Sequence, residues 1–106
     1  MSILVTGGLG FIGSNLVDLL ISMNYKVAVI DNLSTGLKAN KNSKAKYIYQ
    51  DIRNYINSPQ KLRSIIKTNK IKIIFHLAAS ADVRLSMKCP EEVFDINVIS
   101  SVALFN

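Results

Sequence analysis

The chain has 106 residues, a hydrophobic fraction of 49% and a formal net charge of +6. That length allows one small domain with a modest core, and the apolar content argues against a disordered chain. No apolar run approaches the roughly 20 residues of a membrane-spanning helix. The single cysteine, Cys89, excludes an internal disulfide and a thiol pair for a metal.

In chain order, residues 2–5 (SILV) form a short aliphatic run that reads as a buried strand. A glycine-rich stretch follows. Ile12, Leu16, Leu19 and Met23 then recur at helical spacing and predict an amphipathic helix from Phe11 to about Asn24. Residues 25–31 (YKVAVID) predict a second strand, and NLSTGLKANKNSKAK a mobile loop. Residues 46–52 (KYIYQDI) are aromatic and β-branched, as in a third strand. Ser58 and Pro59 offer a cap and a first-turn proline to a second helix. Leu62, Ile65 and Ile66 are its buried stripe, with Lys61, Lys67 and Lys70 in water. Residues 71–79 (IKIIFHLAA) are nearly all apolar, as in a parallel strand covered on both faces. Pro90, Glu91 and Glu92 open a last helix with Val93, Ile96, Ser100 and Leu104 on one face. The order β-α-β-β-α-β-α predicts an α/β fold: an incomplete Rossmann-type doubly wound parallel sheet of about four strands.

The stretch VTGGLGFIGS, Val5 to Ser14, lies at the first strand–helix corner. Gly8, Gly10 and Gly13 fit G-x-G-x-x-G, and Gly7, Gly10 and Gly13 fit G-x-x-G-x-x-G. Such a corner gives a tight turn, a bare backbone where a pyrophosphate can lie, and a close helix–strand contact. The helix N-terminus offers unpaired N–H groups to the phosphates. Asp31 ends the second strand, where a dinucleotide fold places an acid on the adenosine ribose hydroxyls. A carboxylate there repels a 2′-phosphate and favours NAD over NADP, although Lys38 and Lys41 keep NADP open. Ten of the thirteen basic residues fall between Lys38 and Lys72. They are dispersed, with no basic helix face and no interleaved aromatics, so a solvated face is the reading and a nucleic-acid-binding module the rival.

VTGGLGFIGSNL, DNLSTG, QDIRN, HLAASADVRLSMKCP and DINV resemble, in this order, the extended short-chain dehydrogenase/reductases. The nearest resemblance is to the UDP-glucose 4-epimerase type of nucleotide-sugar epimerases and dehydratases. The resemblance implies that Gly7, Gly10 and Gly13 form the phosphate loop, with Phe11 and Ile12 bringing the helix N-terminus to the pyrophosphate. It implies that Asp31 holds the ribose and that Asn32 and Ser34 lie beside the adenosine. Asp51 and Ile52 flank the adenine, Leu77, Ala78 and Ala79 line the cofactor, and Asn97 buttresses the site. Ser80, Arg84 and Ser86 lie where the family's substrate loop begins. His76 corresponds to a histidine that looks structural, and Cys89 to a passive thiol.

The chemistry of such enzymes needs a Tyr-x-x-x-Lys pair. Tyr25, Tyr47, Tyr49 and Tyr55 are followed four residues on by Val29, Asp51, Arg53 and Pro59, so none of the four tyrosines qualifies. The resemblance therefore implies a partial NAD-binding domain over residues 1–106, with no catalytic residue and no metal, and a catalytic, sugar-binding part elsewhere. The expected function is the NAD half of a nucleotide-sugar epimerase, with a UDP-sugar as substrate of the longer enzyme and a homodimer as a possible assembly. The alternatives are a dehydratase or reductase relative, or a short NAD-binding or subunit-pairing module. The N-terminus enters a strand without a basic leader segment, so a cytoplasmic location is expected, with neither membrane nor nucleic acid as partner.

Overall fold

The computed structural model describes residues 2–32, 38–55, 58–78, 87–88 and 91. Four parallel strands form one sheet: β1 (Ser2–Thr6), β2 (Lys26–Asp31), β3 (Lys46–Tyr49) and β4 (Ile71–His76), in the order β3-β2-β1-β4. Helix α1 (Phe11–Ser22) joins β1 to β2, and α2 (Pro59–Thr68) precedes β4. The doubly wound arrangement follows from where the apolar residues point. Alternation along β1 sends Ile3 and Val5 to one face, where Val27, Val29, Val17 and Leu20 complete a core under α1. Leu4 points the other way and joins Ala28, Ile30, Ile52, Tyr55 and Leu62 under α2. Both faces of β1 and β2 are therefore covered by a core, whereas β4 leaves Ile73 and Phe75 exposed, so the cover expected on both of its faces is absent among the described residues; all four strands present their C-terminal ends at one edge.

Several boundaries differ from those the sequence predicts, each for a local reason. The buried face of α1 is Gly13, Val17 and Leu20, while Ile12, Leu19 and Met23 are exposed. Outside the polar arc of Ser14, Asn15, Asp18 and Ser22 the helix is apolar, so periodicity alone does not choose the buried face; close approach at Gly13 does. Helix α1 stops at Ser22 because Asn24 turns left-handed (φ 67°), and the Tyr25 N–H bonds back to Leu20, so β2 begins at Lys26. Strand β3 ends at Tyr49, not Ile52: the Asp51 carboxylate accepts from the Arg53 N–H and starts a 3-10 turn over Ile52–Tyr55. Strand β4 ends at His76, because the N–H groups of Leu77 and Ala78 turn to Thr6. Ser58 is the N-cap residue of α2 with no side-chain cap bond; its carbonyl receives the Lys61 N–H instead. The described part of the asparagine-rich connection, from Lys38 on, carries a 3-10 turn, Lys38–Asn40, and is held there: Asn42 donates to Asp18, and its own N–H donates to the Tyr47 hydroxyl. Apart from Glu91, the helix expected from Pro90 onward lies outside the described residues.

After α2, Lys70 adopts φ 54°, a left-handed conformation that a side chain disfavours. Lys70→Gly is expected to raise stability by about 1 kcal/mol, or roughly 4–8 °C in Tm. A thermal melt of the variant that shows no rise would mean that the lysine is not strained there.

Candidate functional site

The C-terminal edge of the sheet gathers β1, β2 and β4 around the glycine corner. Gly7 takes φ 75°, and its N–H donates to the Ile30 carbonyl at 2.8 Å. A Cβ on Gly7 would lie 3.0 Å from the backbone of Leu77 and Ala78, so the turn presses directly on the end of β4. A Cβ on Gly13 would overlap the Gly7 carbonyl oxygen, so the first turn of α1 rests on the same point. At Gly8 a Cβ would sit 2.5 Å from the Val29 side chain. These three glycines are absorbed by internal contact. Gly10 differs: the nearest atom to its Cβ would be at 3.5 Å, an ordinary contact. The bare surface of the motif is therefore at Gly10, the N-cap of α1.

That helix start is open to an anion. The first intrahelical bond runs from the Ser14 N–H to the Gly10 carbonyl, so the N–H groups of Phe11, Ile12 and Gly13 precede it. Among the described residues no side chain caps them, and no acid stands in the first turn. The dipole adds about half a positive charge at this end. Phe11 and Ile12 are 83% and 71% exposed, so their contribution to such a site is through their backbone.

Across the corner, Asp31 is buried at the end of β2. Its Oδ2 accepts the Leu9 N–H at 3.0 Å. The Leu9 carbonyl accepts from the Asn40 side chain at 2.9 Å. The loop backbone is thus gripped on both sides, by the acid and by the 3-10 turn. A carboxylate has about four lone-pair positions, so the bond to Leu9 is compatible with hydroxyl donors from a ribose.

Asn32 and Asp51 come together: Asn32 donates to Asp51 at 3.2 Å. Arg53 also grips Asp51, with its closest contact at 2.6 Å, and its guanidinium holds that carboxyl below the usual carboxylate range. Two Arg53 nitrogens, the Arg53 N–H and Asn32 together address both carboxylate oxygens. Ile52 is buried in the core under α2. Leu77 is exposed and Ala78 half-buried beside Gly7. Ser34, Ala79, Asn97, Ser80, Arg84 and Ser86 lie outside the described residues.

The NAD dependent epimerase/dehydratase family model matches residues 3–106. The chain belongs to that family. A putative UDP-glucose 4-epimerase of Methanocaldococcus jannaschii is 44% identical over 100 residues, covering 94% of this chain and 31% of the relative. The UDP-glucose 4-epimerase of Halalkalibacterium halodurans is 39% identical over 104 residues, 98% of this chain and 30% of its own. Among solved structures, Thermotoga maritima UDP-glucose 4-epimerase with UDP-glucose superposes with a TM-score of 0.89 at 41% identity, covering 98% of this chain and 32% of that one. The Thermus thermophilus enzyme in complex with NAD gives 0.85 at 33% identity, with coverage of 98% and 32%. The chain spans about a third of the length of these relatives. The resemblance read from five sequence segments is borne out, as is the Rossmann-like sheet.

Within this family member, sequence reasoning missed Thr6, Leu9 and Asn40. Thr6 is fully buried at the end of β1. Its Oγ1 accepts from the N–H groups of Leu77 and Ala78 at 3.0 and 3.1 Å and lies 2.7 Å from His76 Nδ1. A hydroxyl has two acceptor positions and one proton. With both acceptor positions taken, the proton points at Nδ1, which makes His76 the neutral tautomer protonated on Nε2. Burial also lowers the His76 pKa. His76 is therefore hydrogen-bonded at the end of β4. A hydroxyl closing the apolar run Ile3–Val5 was the available signal for Thr6. Leu9 acts through its backbone and Asn40 lies in a polar loop, so neither stands out in sequence.

Proposed function

We propose that residues 1–106 are the NAD-binding part of a UDP-glucose 4-epimerase-type enzyme. The observation that carries this is the pairing of two anchors across one corner: the open start of α1 at Gly10, and the buried Asp31 carboxylate tied to Leu9. An anionic diphosphate suits the first and a ribose diol the second. The N–H groups of Phe11, Ile12 and Gly13 would hold the pyrophosphate, with Gly10 leaving room for it. Asp31 would accept from the ribose hydroxyls and repel a 2′-phosphate. Asn32 and Ser34 would stand beside the adenosine. An adenine contact at Asp51 requires Asn32 or Arg53 to yield a carboxylate position, and Ile52 meets a base only by the edge of the core. Leu77, Ala78 and Ala79 would line the inner end of the cofactor, with Asn97 behind them. When bound, NAD supplies reversible hydride acceptance at the sugar C4.

Residues 1–106 contain no Tyr-x-x-x-Lys, so in this reading the proton-moving groups and most of the sugar site belong to another part of the enzyme. Ser80, Arg84 and Ser86 would begin the substrate side, with a UDP-sugar as substrate and pairing with a second copy as the assembly. No helix among the described residues is long and apolar enough to cross a membrane, and a cytoplasmic location fits a nucleotide-sugar substrate.

Asp31→Ala tests the reading. NAD affinity, measured by calorimetric titration, is expected to fall at least tenfold, the loss of a charge-assisted hydrogen bond of about 1.5–3 kcal/mol. Unchanged affinity would remove the ribose from Asp31.

A further inference from the structure

The strands begin at the edge of the sheet opposite the glycine corner. A cavity of about 460 Å³ opens there, within the roughly 300–1,000 Å³ of small-molecule sites. Its walls bring together Lys26, Lys44 and Lys46 with Asn24 and Asn69, and no Asp or Glu among the described residues lines it. The apolar part of the lining includes Ile21, Val27 and Ile71.

Lysines beside helix ends often do no more than neutralise the dipole, and α1 and α2 both finish here. Each helix C-terminus carries about half a negative charge, so three ammonium groups still leave an excess of about two positive charges. One of the lysines is also held in place. The Lys46 ammonium donates to Asn69 Oδ1 at 3.1 Å, and the same amide donates to the Ile65 carbonyl at 2.8 Å. An ammonium has three donors, so Lys46 keeps two for a ligand. A carboxylate would match about half of the excess charge, whereas a phosphate ester carries about −1.5 to −2 near neutral pH and matches it fully.

We propose that this cavity is a second ligand site, for a small phosphate ester. The phosphate sits among Lys26, Lys44 and Lys46, and the apolar or ring-bearing body lies on Ile21, Val27 and Ile71. The site is at the far end of the sheet from the glycine corner, so it stands or falls independently of NAD binding.

The test is a residue-resolved NMR titration of the 106-residue chain with phenyl phosphate as the probe. Saturable shifts are expected at the amides of Tyr25, Lys26, Lys46 and Asn69, and weaker, non-saturating ones with inorganic phosphate. The Lys26→Gln/Lys46→Gln double variant is expected to bind phenyl phosphate at least about tenfold more weakly while its NAD titration stays as in the parent. Lys44→Gln, on the connection before β3, is the second reading should the double variant lose its fold, with the same direction expected. Shifts confined to residues 7–13, the same affinity in the variants, or no saturation up to about 1 mM would overturn the proposal.

Discussion

Gly13→Ala is expected to destabilise the chain by about 2 kcal/mol, against the usual direction of a glycine-to-alanine change inside a helix. Propensity alone favours alanine by about 1 kcal/mol. Packing opposes it: the new methyl would overlap the Gly7 carbonyl oxygen and lie 3.0 Å from the Gly8 Cα. Both are backbone atoms of a turn pressed against β4, so neither yields cheaply, and overpacking of this kind costs up to about 3 kcal/mol. The packing effect wins. A urea unfolding curve checks it, with a fall of roughly 1 M in midpoint expected. Gly10→Ala is the matched control. There the methyl meets only ordinary contacts, so the fold is expected to survive while NAD binding weakens, because the bare surface is filled. Equal stability losses in the two variants would mean that the glycines do not divide into internal contact and open surface.

Thr6→Val is the second large effect. The two side chains have nearly the same shape, so little packing is lost, but the hydroxyl goes. The Ala78 N–H loses its acceptor, His76 Nδ1 loses its donor, and Leu77 keeps only the Thr6 carbonyl at 3.0 Å. A fully buried orphaned donor costs about 1–3 kcal/mol, and the Ala78 N–H is part-buried, so its share lies toward the low end, with the lost bond to His76 added to it. A loss of about 2 kcal/mol is expected in chemical unfolding, with weaker NAD binding because the end of β4 is no longer held beside Gly7. Thr6→Ser, which keeps the hydroxyl and removes one methyl, is expected to lose about half as much. If valine proved as stable as threonine, the Thr6 hydroxyl would not be what fastens β4 to β1.

The legible parts of this chain were those where residue type and spacing admit one physical solution. The first two strands follow from their apolar runs, the glycine corner from its own pattern, and the place of Asp31 from the end of the second run. Leu62 points inward as its spacing predicts, and Lys61, Lys67 and Lys70 stay in water. What was not legible depended on a partner distant in sequence. Ile12, Leu16, Leu19 and Met23 form as good a stripe as Gly13, Val17 and Leu20, yet only Leu16 of the four packs on the core. Only the contact of Gly13 with Gly7 decides between them. The strand ends were misplaced where a carboxylate or a hydroxyl intercepts the backbone, at Asp51 and at Thr6. Asn40 reads as loop polarity until its bond to the Leu9 carbonyl is seen.

The central position of β1 also has a consequence for synthesis. Its bonds to β2 can form early, since the two strands are separated by a single helix. Its other side waits for β4, and the Thr6–His76 bond spans 70 residues. At about 5–20 residues per second, that gap is roughly 4–14 s on the ribosome. During that interval the nascent glycine turn lacks the Leu77 and Ala78 backbone that later backs it. The glycine turn is therefore among the last of the described features to mature, although its motif is among the first of these residues to be translated.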